Sequence, residues 1–312
     1  MILKIGSKGL SVIQVQEHLG LTPDGYFGKE TDAAVRVWQQ KHELYADGVV
    51  GADTWTSMGI ATTDISEITN HNEKIADIIS FLPKGEYIAG PYKKKWLFMH
   101  HTAGWQNPLD TAGDWANDNR GAVATEFVIG GQSILGDDIK HDGILVKCMP
   151  DGAMGWHLGI GNNQMHRESV GVELCNFGRL TKGGYHKYLN GKWVWIALSP
   201  NDCYTYVGGK VCPEQVVTLY QSFRGCHYWH RYSDKQLIRA KKLIQDVGKR
   251  DEIDMRKGIP AFIRDRGVHA AFDYCDVDYV SKHPGLWTHA NVSKTKTDMF
   301  PQQELVDMFL SI

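Results

Sequence analysis

The stretch Trp96-Leu-Phe-Met-His100-His101 decides how most of this chain folds. Four apolar residues followed by two histidines predict a buried strand whose polar end reaches the edge of a sheet. Successive side chains of a strand point to opposite faces. We therefore expect one histidine of the pair to face a site while the other turns away from it.

Further strands are predicted on either side of this one, at residues 125–129 and 169–174. Ser233 is placed to cap a helix over residues 234–247, and a last helix is predicted over residues 302–310. This alternation of strands and helices predicts an α/β fold, with a mixed central sheet flanked by helices, from residue 76 to residue 312.

The first 60 residues carry an internal repeat. Asp24-Gly-Tyr-Phe-Gly-Lys-Glu-Thr31 recurs 23 residues later as Asp47-Gly-Val-Val-Gly-Ala-Asp-Thr54. Asp-Gly favours a turn, and apolar residues keep helical spacing before and between the copies. Residues 1–62 are therefore predicted to form a small all-α domain of three helices, the alternative being a helical cap on the larger domain. Residues 63–75 are polar and are predicted to be a linker.

Composition excludes several classes of protein. The 34 basic and 36 acidic residues of the 312-residue chain leave a net charge of −2, which argues against nucleic-acid binding. Apolar stretches such as residues 193–198 are too short to span a bilayer, so no stable membrane insertion is expected. The N-terminus shows neither the apolar core nor the cleavage site of a signal peptide, so we expect synthesis in a cytoplasm with six reduced cysteines.

A second informative segment lies near the C-terminus, where His289 is followed by Lys296 and Asp298. Two neutral imidazoles, one of them from the strand ending at His100, and one carboxylate would leave a zinc ion positively charged with an open fourth position. The alternative is a solvated loop of Lys, Asp and Thr residues, and spacing alone favours neither.

Glu173 is the other candidate for chemistry. In Val170-Gly-Val-Glu-Leu174 the apolar residues alternate on one face, and Glu173 points to the other. A carboxylate in the middle of a strand is disfavoured unless that face is wet or functional. It could pair with an arginine, or act as a general base near a zinc ion.

The N-terminal repeat resembles the three-helix peptidoglycan-binding module found on cell-wall hydrolases. The similarity covers about 60 residues and implies that they bind glycan or stem peptide without catalysis. It rests on Gly6-x-x-Gly9, Val12-x-x-Val15-Gln16-x-x-Leu19, the two Asp-Gly-x-x-Gly-x-x-Thr units and Ala34-Val35-x-x-Trp38-Gln39.

The remainder, from about Trp96 onward, resembles the zinc-dependent N-acetylmuramoyl-L-alanine amidases of the phage-lysozyme, peptidoglycan-recognition and cell-wall-recycling group. The four matching motifs are Met99-His100-His101-Thr-Ala103, Gly155-Trp156-His157-x-Gly159, Ser169-Val-Gly-Val-Glu173-Leu and His289…Lys296-Thr-Asp298. The resemblance implies a mechanism in which zinc-activated water cleaves the amide between the lactyl group of N-acetylmuramic acid and L-alanine.

The resemblance also implies a role for particular residues. His100, selected over His101 by the family pattern, would bind Zn²⁺ with His289 and Asp298. Glu173 would be the general base, and Lys296 would stabilise the oxyanion. Trp156 and His157 lie in the groove motif and are predicted to contact substrate.

Two segments depart from the family pattern. Many members carry a tyrosine near the start of the second strand, where this chain has Thr125-Glu126-Phe127, so Glu126 is expected to face either the site or solvent. Residues 179–232 are interpreted as an insertion rich in aromatic residues. Its cysteines, Cys203, Cys212 and Cys226, lack the paired spacing of a structural zinc site, so buried core or a wall of the substrate groove is favoured.

The combination of modules predicts a phage endolysin that is made in the host cytoplasm and acts on the cell wall or periplasm after holin-type release. Peptidoglycan would be both substrate and anchor, and a monomer is expected. The alternatives are a bacterial recycling or injected amidase, and a non-catalytic peptidoglycan-recognition protein. The last would require a broken set of ligands, whereas all five candidate residues are present.

Overall fold

A computed structural model of the chain describes residues 3–7, 10–59 and 75–312. The chain divides into two compact units, Met1–Lys74 and Ile75–Ile312. The predicted linker, residues 63–75, lies outside the described residues except for Ile75, which is buried in the core of the second unit. No helix within the described ranges is long and apolar enough to cross a membrane.

The N-terminal unit contains the three predicted helices, α1 (Leu10–His18), α2 (Lys29–Lys41) and α3 (Ala52–Ser57). The turns between them bring apolar side chains from each helix into one small core. Its buried members are Leu3, Val12, Val15, Phe27, Val35, Val50, Trp55 and Met58. The repeat seen in the sequence is therefore a repeat of helix and turn.

A glutamine stabilises each copy of the repeated turn. Gln16 on α1 and Gln39 on α2 are both buried. Each amide accepts a hydrogen bond from the glycine of its Asp-Gly turn and donates to the turn aspartate, to a main-chain carbonyl and to a threonine. The partners are Asp24, Gly25, Tyr26 and Thr31 in the first copy, and Asp47, Gly48, Val49 and Thr54 in the second.

The second unit is built on a six-stranded mixed sheet, as predicted. Strand order is β1-β4-β3-β5-β2-β13, and β3 and β4 are antiparallel while the other neighbours are parallel. The strands are β1 (Ile78–Ile79), β2 (Trp96–His101), β3 (Phe127–Ile129), β4 (Leu145–Lys147), β5 (Ser169–Leu174) and β13 (Gly285–Thr288).

Helices of this unit pack around the sheet. The longest of them, α6, begins after the predicted cap, since the Ser233 hydroxyl accepts a hydrogen bond from the amide of Gln236. The helices are α4 (Pro108–Asn117), α5 (Asn163–Arg167), α6 (Asp234–Arg250), α7 (Ile259–Arg266), α8 (Val268–Phe272), α9 (Val277–Ser281), α10 (His289–Val292) and α11 (Gln303–Leu310).

Predicted and observed bounds differ in detail. The strand predicted over residues 125–129 begins only at Phe127, and helix α6 continues to Arg250, three residues beyond its predicted end. Ile238 of this helix is apolar, yet it is 70% exposed. The buried face is instead formed by Gln236, Leu237, Ala240, Leu243, Ile244 and Val247.

The 179–232 segment forms three small β-structures and a 3₁₀ turn at Pro213–Gln215. Its cysteines are free thiols: Cys203 lies in a small core, and Cys226 packs against the main core. The strands are β6 (Thr181–Lys182), β7 (Gly184–Leu189), β8 (Lys192–Ala197), β9 (Cys203–Tyr204), β10 (Lys210–Val211), β11 (Val216–Phe223) and β12 (Cys226–His230).

Candidate metal centre

The register of the sheet brings the predicted residues together at one end of β2. His100 on β2 lies directly beside Glu173 on the parallel neighbour β5. Residues at the same level of adjacent parallel strands point to the same face, so both side chains enter one cleft. On the other side of β2, Thr288 of β13 pairs with Met99, which places His289 level with His100.

A short helix holds His289 in place. Helix α10 starts at His289, and a capping box stabilises its N-terminus. In this box the Asn291 side chain accepts a hydrogen bond from the Thr288 amide at 2.9 Å. The Asn291 amide group also donates to two main-chain carbonyls, which fixes this end of the strand. Asp298 is held close by because its carbonyl accepts a hydrogen bond from the amide of Ala290 at 2.8 Å.

Three ligand atoms converge in this arrangement. His289 Nδ1 lies 2.9 Å from His100 Nδ1 and 2.9 Å from Asp298 Oδ2, and the third side of the triangle is 3.3 Å. All three residues are buried, and they are the one group of potential metal ligands found in the described part of the chain. Tetrahedral bonds of about 2.0–2.1 Å to zinc separate neighbouring ligand atoms by about 3.3 Å. The triangle therefore fits a zinc ion.

The hydrogen bond at the Nε2 atom of each imidazole determines which of its two ring nitrogens carries the proton. His289 Nε2 lies 2.9 Å from the carbonyl oxygen of Leu158, so Nε2 carries the proton and Nδ1 offers a lone pair. His100 Nε2 lies 3.0 Å from His157 Nδ1. With His100 Nδ1 free for a metal, His100 Nε2 donates to His157.

The chain of hydrogen bonds that starts at His100 continues through His157. Its Nε2 lies 2.8 Å from the Ser169 hydroxyl, which in turn donates to the carbonyl of His166. Both ring nitrogens of His157 are thus engaged within the protein. We therefore assign His157 to orienting His100. His157 and Trp156 both line the cleft and are both partly exposed, so the contact with substrate predicted for the two residues stays a prediction.

The burial of the site changes the acidity of its groups in the metal-free protein. Burial, with the neighbouring His289, lowers the pKa of His100 to about 4. Burial alone would raise the pKa of Asp298, but His289 and the hydrogen bonds from both histidines lower it below its usual range. A neutral His100 and an ionised Asp298 are protonation states that metal binding requires.

Glu173 has the opposite shift. Burial and the nearby charge of Asp298 raise the pKa of Glu173 well above its usual range, while Lys296 opposes this rise. Its Oε2 atom is buried and has no hydrogen-bond partner. A buried acceptor without a partner is costly and is typical of a catalytic site.

These residues line a cleft of about 910 Å³. Glu173 and the three candidate ligands lie in its wall together with Lys296, whose side chain is exposed. His101 turns to the other side of its strand, where its Nδ1 bonds to the Tyr232 hydroxyl at 2.8 Å. His100 therefore points to the three ligand atoms and His101 does not, while the role of His100 as a metal ligand stays a prediction.

Glu126 faces neither the cleft nor solvent, so both alternatives expected for it are wrong. The side chain is 2% exposed and pairs with Arg250 from the end of helix α6, at 2.6 Å. The Nζ atom of Lys147 on β4 lies 3.8 Å from Oε1 of the same carboxylate. Glu126 joins α6 to the sheet, and its partner is 124 residues distant in sequence, where no local pattern indicates it.

This geometry, a group of three residues that could hold a metal ion beside a carboxylate without a hydrogen-bond partner, is typical of metal-dependent hydrolases. Comparison with known families narrows the class. Residues 91–299 match the family model described as N-acetylmuramoyl-L-alanine amidase, and residues 10–58 match that of a peptidoglycan binding domain. The chain therefore belongs to the N-acetylmuramoyl-L-alanine amidase family and carries an N-terminal peptidoglycan-binding domain.

Several solved structures are similar to parts of the chain. One is a fused Zn-dependent amidase/peptidase/peptidoglycan-binding domain-containing protein from Clostridium acetobutylicum, with 38% identity over 19% of this chain and 28% of that chain, TM-score 0.18. PlyL shares 13% identity over 70% and 82% of the two chains, TM-score 0.36. AmiD from E. coli shares 17% over 70% and 58%, TM-score 0.36. No curated protein sequence matches significantly.

The assignment of His157 predicts a specific effect on metal binding. We expect His157→Ala to weaken zinc affinity about 10–100-fold, the usual effect of removing a residue that orients a metal ligand. Excess zinc should restore kcat. Competition with a chromophoric chelator measures the affinity.

Trp156→Ala is the matched comparison, because it should raise KM while leaving zinc affinity unchanged. If His157→Ala instead raised KM with normal zinc affinity, His157 would be a substrate contact and the assignment would be wrong.

Proposed function

We propose that this chain is a zinc-dependent amidase that hydrolyses the bond between the lactyl group of N-acetylmuramic acid and L-alanine in peptidoglycan. The observation that carries the proposal is the triangle of His100 Nδ1, His289 Nδ1 and Asp298 Oδ2. With both imidazoles protonated on Nε2, these are three acceptor atoms at 2.9–3.3 Å in a buried site, and they repel one another unless a cation lies between them. Membership of the amidase family supports zinc as the cation and the lactyl–L-alanine amide as the bond that is cleaved.

When bound to these three residues, zinc would lower the pKa of water to about 7 and polarise the substrate carbonyl. The protein supplies the remaining chemistry. Glu173 lies beside His100 with an unpartnered carboxylate oxygen, so it accepts the proton of the attacking water. It can then return that proton to the departing amine of L-alanine.

Lys296 is the cation of the cleft that is closest in sequence to the triad. Its ammonium group lies in the cleft wall and is close enough to influence the pKa of Glu173. We assign it to stabilising the negative charge that develops on the carbonyl oxygen. A single donor of this kind contributes about 3 kcal/mol in other hydrolases.

The role of Glu173 predicts a variant that is more stable and inactive. Glu173→Gln should bind zinc normally and lose kcat by about 10²–10⁴-fold, because no group accepts the proton. In the metal-free protein the raised pKa of Glu173 contributes stability that is present below about pH 4 and is lost as pH rises. The variant should therefore have a higher Tm than the wild type at pH 7 and an equal Tm at pH 4.

Glu252→Gln is the control, since Glu252 is an exposed carboxylate on the surface. This substitution should change neither kcat nor the pH dependence of Tm. Retained turnover in Glu173→Gln would remove Glu173 from the mechanism.

We also propose that the enzyme acts on intact cell walls, as an endolysin does during host lysis. An enzyme that recycles soluble fragments has little use for a wall-binding domain, whereas an enzyme that lyses walls gains local concentration from one. The peptidoglycan-binding match over residues 10–58 supports this interpretation.

Deletion of residues 1–60 tests the anchor. We expect weaker sedimentation with purified sacculi and slower lysis of them, with unchanged kcat/KM on a soluble muropeptide. Equal loss on both substrates would contradict the anchor, and no loss on sacculi would favour a recycling enzyme.

A further inference from the structure

The insertion contains a β-hairpin that the proposed mechanism does not use. Strands β7 and β8 pair from Gly184–Ala197 at the base to Leu189–Lys192 at the tip. Asn190 and Gly191 form the turn with φ values of 47° and 79°. Asn-Gly with two positive φ angles is the favoured two-residue hairpin turn, so the sequence encodes this hairpin locally.

One face of the hairpin is aromatic. His186 pairs with Trp195 and Tyr188 pairs with Trp193, so all four rings lie on the same face. The ring centroids within each pair are 5.0 and 5.3 Å apart in edge-to-face contact. We call these four residues the aromatic platform.

The platform is exposed. Tyr188 is 59% exposed, Trp193 70% and Trp195 43% in the described structure. Two-stranded hairpins are marginally stable by themselves, and the cross-strand ring pairs contribute to holding this one together. Yet a clustered set of exposed large aromatic rings is unusual for a protein surface and is typical of a binding site.

A run of aromatic residues connects the cleft with the base of the hairpin. Trp105 and Tyr206 both line the cleft and are more than half exposed, and Phe177 packs between them, with centroid distances of 4.9 and 6.0 Å. Two residues after Tyr206, a Cβ atom at Gly208 would lie 2.6 Å from the ring of Tyr185 on β7. The insertion thus extends from the wall of the cleft to the hairpin without a break.

The charge of the hairpin is positive. Lys182, Lys187 and Lys192 lie in or next to it, and the chain has no acidic residue from position 183 to position 201. A polymer that carries carboxylates at regular intervals would be attracted to this segment. The stem peptides of peptidoglycan carry such carboxylates.

We propose that the aromatic platform binds the glycan strand of peptidoglycan beyond the cleft. The apolar faces of the sugar rings would stack on Tyr188, Trp193 and Trp195, while stem-peptide carboxylates would lie near Lys187 and Lys192. This inference rests on the proposed function, because it takes the polymer cut in the cleft as the ligand of the platform. It gives the 179–232 insertion a role in preferring long substrates over short ones.

The experiment compares two substrates of the full-length enzyme: long glycan strands with uncross-linked stems, and the disaccharide-peptide monomer. Tyr188→Ala with Trp193→Ala should lower kcat/KM on the strands about tenfold and leave kcat/KM on the monomer unchanged. Sedimentation of the chelated enzyme with the strands should weaken in parallel, and this binding is measured without turnover.

Two control variants separate binding from folding. Val194→Ala lies on the opposite face of the hairpin and should leave both substrates unaffected, while Tyr188→Phe with Trp193→Phe keeps the rings and should retain most of the strand preference.

Unchanged kcat/KM on strands in the double alanine variant, or an equal loss on strands and monomer, would overturn the proposal. If the double alanine variant sedimented less with phosphatidylglycerol vesicles than the wild type but bound the strands equally well, the platform would be assigned to a membrane surface instead. If the wild-type enzyme cleaved neither substrate, and the double alanine variant bound the strands more weakly than the wild type, the proposed function would be contradicted and the platform supported.

Discussion

Three lone-pair-bearing atoms face one another across about 3 Å in a buried pocket, and the rest of the catalytic unit is organised around that constraint. When both histidines carry their proton on Nε2, His100 Nδ1, His289 Nδ1 and Asp298 Oδ2 repel one another unless a cation lies between them. The Nε2 atoms of both imidazoles, which face away from this group, are bound by the protein. The Leu158 carbonyl accepts a hydrogen bond from His289 Nε2, and His157 Nδ1 accepts one from His100 Nε2. The hydrogen bonds therefore orient both imidazoles for metal before any metal arrives.

The proposed role of Glu173 as a general base and the stability of the metal-free fold make opposite demands on this residue. The same burial that raises the pKa of this carboxylate and leaves its Oε2 without a partner also destabilises the metal-free fold at neutral pH. The surrounding sheet tolerates this because β5 lies between β2 and β3, and its other face is packed with Val170, Val172 and Leu174. The strand is held by its apolar face while its polar face is left free for chemistry.

Local patterns were sufficient for strands β2 and β5 and for the expectation that only one histidine of the pair faces the site, because strand alternation is a property of neighbours in sequence. The choice of His100 over His101 came from the resemblance to the family. The role of His157 was not predictable in this way, since it depends on the fold bringing His157 between His100 of β2 and Ser169 of β5. The surroundings of Glu126 were wrongly predicted for the same reason, because its partner Arg250 is distant in sequence. The hairpin at Asn190-Gly191 had a local signal, a two-residue turn between aromatic stretches, which sequence reasoning overlooked.

We propose that the enzyme cleaves the amide that joins glycan and stem peptide with the help of a zinc ion held by His100, His289 and Asp298. Digestion of purified sacculi with the full-length enzyme, followed by mass spectrometry of the products, is the decisive experiment. We expect free stem peptides beginning with L-alanine, lost on treatment with a zinc chelator and restored by added zinc. Stem peptides still attached to the glycan, or cleavage that persists undiminished after chelation, would contradict it.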